Sequence, residues 1–141
     1  MEATSIDSES SGYAQFTIYG EPASKANSRR VVINSMSLKP MLIKSVKALN
    51  YWHAATLQLP RMTPLTGPLR VTIHIWYANE RSDLDESVLL DLMQNRYTGK
   101  GKARRLCWTG IYDNDRQVRE RHVYHGIDAE NPRARVLVER M

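Results

Sequence analysis

The residues of this chain best suited to chemistry form two acidic clusters, Arg81-Ser82-Asp83-Leu84-Asp85-Glu86 and Tyr112-Asp113-Asn114-Asp115-Arg116-Gln117-Val118. Asp83 and Asp85 are two residues apart, so in extended backbone both carboxylates point to one face. Like charges that close repel, and one of them holds its proton unless a cation lies between them. A hard cation such as Mg2+ binds through one or two carboxylates together with phosphate oxygens and water, which points to metal-assisted phosphodiester chemistry. Ordinary roles stay open for the same residues. Asp83 or Asp85 suits a helix N-cap, and Asp113-Asn114-Asp115 suits a turn.

Strands and helices must position these clusters. Leu69 to Ala78 alternates as a strand, with Leu69, Val71, Ile73 and Ile75 on a core face and Arg70, Thr72, His74 and Trp76 on a face that a helix or a partner subunit would cover. It runs straight into the first cluster, and Ser87 to Met93 then reads as a helix. The apolar stretch Leu106 to Tyr112 delivers the second cluster, and Gln117 to Tyr124 reads as a strand with an irregularity near Arg121. Elsewhere, Ala14 to Tyr19 is a strand stopped by Gly20-Glu21-Pro22, Val31 to Asn34 a short strand, and Ala134 to Glu139 a last strand. Lys44 to Leu59 has helical periodicity with Val46, Leu49, His53 and Leu57 on its apolar face, His53 reading as a core histidine, and Pro60 ends it. Two strands, a helix, a strand, a helix and two strands make an α/β or α+β domain with a mixed sheet and about two main helices.

With 141 residues the chain is expected to be one domain over 13–141, preceded by a flexible segment, 1–12, that is rich in Ser and acidic residues. No stretch reads as a signal peptide or a membrane span, so a soluble intracellular protein is expected. Lys and Arg number 20 against 15 Asp and Glu, and the resulting pI near 9.5 suits a polyanionic partner. Candidate phosphate contacts are Lys25, Arg29 and Arg30 in one loop and Arg96, Lys100, Lys102, Arg104 and Arg105 in a Gly-containing loop from Gln94 to Arg105. Solvated charge is the alternative reading of both loops. A basic loop that joins two acidic clusters favours an arm closing on a nucleic-acid backbone. The single cysteine, Cys107, excludes an internal disulfide and reads as a small buried residue beside Trp108. His122 and His125 are three apart and face opposite sides of a strand, which makes them a poor metal pair.

Order and spacing add a resemblance. The run Phe16-Thr17-Ile18-Tyr19-Gly20-Glu21-Pro22-Ala23-Ser24-Lys25, then Arg29-Arg30, then Asp83-Leu84-Asp85 after a strand and Asp115-Arg116-Gln117-Val118 before another, resembles RusA-type Holliday junction resolvases over most of residues 14–140. The resemblance implies a RusA-like fold and a homodimeric, Mg2+-dependent endonuclease, with Mn2+ as a substitute ion. It would bind four-way DNA junctions and nick opposed strands, in the cytoplasm of a bacterial or phage-infected cell, with no membrane partner and no small-molecule cofactor. The catalytic and metal-holding carboxylates it implies are Asp83, Asp85 and Asp115, with Asp113, Glu86 and Asp91 as further candidate ligands. Two departures stand out: Glu86 occupies the place of an Asn that follows the Asp-Leu-Asp motif, and Leu89 that of a lysine. A protein that binds branched DNA on the same fold without cutting it is the alternative.

Overall fold

The computed structural model describes residues 12–22, 29–80 and 86–141. Its centre is the strand β4, Leu69–Tyr77, whose burial alternates strictly between buried and half-buried residues. Alternation of this kind puts one face of a sheet into a core and leaves the other open. β4 pairs antiparallel with β8, Arg133–Arg140, and parallel with β7, Val118–Ile127. The strand β1, Tyr13–Tyr19, joins the outer edge of β8, giving a mixed four-stranded sheet in the order β1-β8-β4-β7. The register between β4 and β7 slips once, so that Leu69 faces Val118 and Arg70 faces Glu120. Arg119 is left over as a bulge, two residues before the irregularity predicted at Arg121.

Two α-helices among the described residues accompany the core face. α1, Val46–Thr56, starts where Ser45 accepts a hydrogen bond from the Ala48 N–H at 3.2 Å, as an N-cap should. α2, Ser87–Leu92, buries Leu89, Leu90 and Leu92. With Phe16, Ile18, Val71, Ile73, Ile75, Val136 and Val138 these side chains form one core, each fully buried aliphatic contributing about 1.5–3 kcal/mol of transfer free energy. The described residues thus form a single small α+β domain with a mixed sheet and two α-helices, as predicted.

Several local expectations change. α1 begins at Val46 because Lys44 ends a strand, β3 (Pro40–Lys44), that pairs with β2 (Arg29–Ile33) in a hairpin. The turn between them is held by Asn34, whose Oδ1 accepts from the N–H groups of Met36 and Ser37. The expected apolar face of α1 points to solvent: Val46, Leu49 and Leu57 are exposed, and so is His53. The helix docks instead through Ala48, Tyr51 and Ala55, small residues that bring its backbone close and one ring that fills the gap. The loop expected over 94–105 is a second hairpin, β5 (Arg96–Thr98) with β6 (Arg105–Trp108), closed by a 3-10 turn at Gly101–Ala103. Cys107 is exposed on β6, because this hairpin touches the body chiefly through Trp108. The other face of the sheet carries Tyr19, His74, Trp76, Tyr124, Arg133 and Arg135, all half-buried or exposed.

Candidate active site

Asp83, Asp85 and Lys25 lie outside the described residues, as does the expected flexible segment through residue 11. The chain is described again from Glu86, and the second acidic cluster is described in full. Leu65, Tyr112 and Gln94 form a short ladder of bridges that brings the 61–68 loop, the cluster and the end of α2 together. The Met93 carbonyl accepts from both the Ile111 and the Tyr112 N–H, at 2.7 and 3.2 Å. Such an approach requires a residue without a side chain at position 110, where a Cβ would stand 2.3 Å from the Met93 oxygen. Gly110 therefore fixes where the cluster leaves the core.

From there the sequence makes a capped 3-10 turn, Asp115–Gln117. Asn114 Oδ1 accepts from the Arg116 N–H at 2.8 Å, and Gln117 Oε1 accepts from the Asp113 and Asn114 N–H groups. The Gln117 amide also donates to the carbonyls of Leu65 and Gly67, at 3.0 and 3.1 Å. The Asp115 N–H donates to Gln94 Oε1 at 2.9 Å, which leaves the half-buried Asp115 side chain at the turn's first position.

The carboxylates of this cluster do different things. Asp113 is exposed and accepts hydrogen bonds from Tyr97 Oη and from Asn95 Nδ2, and those two donors, the tyrosine foremost, hold its acid below the usual range. It is tied to the hairpin of β5. Asp115 instead shares a neighbour with Asp91 of α2. The buried Tyr112 phenol donates to the Leu90 carbonyl at 2.7 Å, and burial first, then the charges of Asp115 and Asp91, push its ionisation upward while Arg121 pulls it back. The charges of Asp115, Asp91 and Arg121 thus all act on one phenol. Arg121 also reaches Glu86, at 3.7 Å, so the residue that directly follows Asp85 joins the same neighbourhood. Among the described residues no group of three or more acidic, histidine or cysteine side chains is close enough to hold a metal ion. Asp115, Asp91 and Glu86 each have the hard oxygen chemistry that Mg2+ takes.

Leu89, at the place where the resemblance has a lysine, is fully buried in the core. The described cation beside the acidic group is Arg121, which the sequence alone did not single out.

The basic candidates divide. Arg29 and Arg30 open β2, opposite Lys44 and Ile43. Lys100, Lys102, Arg104 and Arg105 are exposed at and near the tip of the second hairpin, with the Arg104 guanidinium 3.8 Å from the Tyr97 ring centre. Arg96 is drawn inward. Its guanidinium lies 4.6 Å from the Trp52 ring and 4.1 Å from the Trp108 ring, and it donates to Thr56 Oγ1 at 3.2 Å. Burial lowers its ionisation, with Cys107 acting the other way. It pins the hairpin to α1.

Gln94, Asn95, Tyr97 and Gln117 complete the site. Only Gln117 stands in a sequence motif, because the contacts of the others cross between segments far apart in the chain. A larger cavity of about 540 Å3, between the end of α1 and β6, is lined by Leu57, Leu59, Met62 and Trp108 among others and contains no carboxylate. It is not part of the acidic site. No protein-family model matches the chain, and no curated protein matches it either.

Proposed function

We propose that the chain is a RusA-type endonuclease that nicks four-way DNA junctions with Mg2+. The observation that carries this reading is the pair of carboxylates, Asp115 on the capped turn and Asp91 on α2, whose charges both act on the buried Tyr112 phenol, with Arg121 acting against them and reaching Glu86, at the end of the segment that bears Asp83 and Asp85. Asp83, Asp85 and Asp115 would hold the ion, with Glu86, Asp91 and Asp113 as further oxygen donors; Mn2+ has the same preference for oxygen. When bound, Mg2+ supplies Lewis-acid charge at the scissile phosphate and lowers the pKa of water. The capped turn orients Asp115 in advance, and Arg121 offsets the negative charge the carboxylates gather. The exposed bases Lys100, Lys102, Arg104 and Arg105 would hold the backbone together with Lys25, Arg29 and Arg30, which makes affinity fall with salt.

A four-way junction has approximate two-fold symmetry and suits a homodimer. Exposed Val31, Ile33, Met36 and Leu38 on the first hairpin and Val46 and Leu49 on α1 supply apolar surface for one. No helix among the described residues is long and apolar enough to cross a membrane. On this reading the protein would act in the cytoplasm of a bacterial or phage-infected cell. The apolar Leu89 favours the alternative, a branched-DNA binder that does not cut.

Incubation of the purified protein with a labelled synthetic junction, with linear duplex as control and with Mg2+ or chelator, decides between these. Paired nicks in the junction, dependent on Mg2+ and lost in Asp115→Asn with binding retained, are expected. Junction binding without metal-dependent nicks establishes the binder instead.

A further inference from the structure

Arg116 and Arg119 line an open cleft of about 420 Å3 together with Gly67, Pro68 and Gln117. The cleft lies against the same capped turn that presents Asp115, and its wall is fixed. Gln117 fastens the turn to the carbonyls of Leu65 and Gly67, and Gly67, at φ +79, leaves open space where a side chain would stand. Both arginines are aimed by local structure. The Arg116 Nε donates to Asn114 Oδ1 at 3.3 Å, which holds the base of the guanidinium and leaves its terminal amino groups to other partners. Arg119 is the bulge residue that has no counterpart on β4, a device that turns a side chain out of a sheet's regular row.

No carboxylate lines the cleft, and neither arginine makes an ion pair among the described residues. The nearby acids are engaged elsewhere: Glu120 with Arg70 at 3.2 Å and with His122 at 2.6 Å, Asp113 with Tyr97 and Asn95. Two guanidiniums with no counter-charge among the described residues, around one concavity, suit a tetrahedral oxyanion, because the planar fork donates two parallel hydrogen bonds to it. Adjacent phosphates along a strand make the backbone the natural source of that anion beside a candidate cleavage site.

We propose that this cleft seats a backbone phosphodiester of the DNA strand that passes Asp115. The identity of the strand rests on the nuclease reading above; the seat itself is tested by binding alone. The experiment measures equilibrium binding of the full chain to a labelled four-way junction in EDTA, from about 50 to about 300 mM salt, for wild type, Arg116→Gln/Arg119→Gln and Arg116→Lys/Arg119→Lys. Two lost phosphate contacts make the negative slope of log affinity against log salt shallower by about 1.8 and weaken binding by about tenfold or more at the low-salt end. The lysine pair restores the slope and only part of the affinity, since it keeps the charge and loses the fork. An unchanged slope and affinity in the glutamine pair overturns the seat, and so does wild-type protein that binds no junction. Inorganic phosphate that raises the wild-type Tm but not that of the glutamine pair, while the DNA slope stays the same, marks a small-anion site and overturns the strand assignment. Wild type that binds but never nicks with Mg2+ ends the nuclease reading and leaves the seat to be judged on its slope.

Discussion

The side chain of Gln94 accepts the backbone N–H of Asp115 at 2.9 Å, and the Gln94 N–H donates in turn to the carbonyl of Asp91 at 3.3 Å. One glutamine thereby couples the end of α2 to the turn that presents Asp115. Gln94→Ala is expected to cost about 1 kcal/mol of stability, the usual net worth of one such bond, read by urea denaturation. If the proposed nuclease reading holds, the larger effect falls on chemistry: single-turnover nicking of a junction drops while metal-free junction binding stays at the wild-type level.

Arg96 is held between two indoles and inside the seam between α1 and the second hairpin. Arg96→Ala is expected to lower stability by about 2 kcal/mol, the desolvated end of the cation–π range. Arg96→Lys recovers little of it, because an ammonium does not stack as a guanidinium does. Chemical denaturation of both variants checks this, and any fall in DNA affinity for Arg96→Ala should track the loss of the folded hairpin.

His74 ionises below its ordinary value of 6.5, through partial burial first and then through the neighbouring charges of Arg133, Arg135 and His125. Its neutral form is therefore the one the fold favours. The unfolded chain binds the proton more readily, so stability is fully present above the unfolded pKa and declines as pH falls through 6.5 toward the folded value. Histidine titration by NMR should place His74 below a free histidine, and Arg135→Gln should move it back upward.

Gly110→Ala places a methyl group 2.3 Å from the Met93 carbonyl, a backbone atom that cannot swing away. Overpacking of this kind is expected to cost about 2–3 kcal/mol. The variant should melt earlier than wild type and, on the proposed nuclease reading, lose nicking even at temperatures where it remains folded.

The four long strands and both helices were legible because each buries a face with clear periodicity, as in the alternation of Leu69, Val71, Ile73 and Ile75. β3, β5 and β6 were not. They are three to five residues long and form two-stranded hairpins apart from the main sheet, and β5 and β6 bury no residue that would impose a pattern. α1 carries two stripes of helical spacing, and sequence favoured the larger side chains of Val46, Leu49 and Leu57 over the alanines that dock. At the candidate site, acid and amide positions could be read along the chain, but the Tyr112 side chain meets α2 at the Leu90 carbonyl and there feels the charges of both Asp91 and Asp115. Such a meeting depends on tertiary packing, which local pattern does not encode.

Every tryptophan in the molecule lies against an arginine: Trp52 and Trp108 flank Arg96, and Trp76 sits under Arg133 with His74 stacked beside it at 3.8 Å. The protein's intrinsic fluorescence is therefore a two-channel optical signal. Two indoles report whether the second hairpin is seated on α1, and the third reports the open face of the sheet, so single Trp→Phe replacements separate the channels without an added dye.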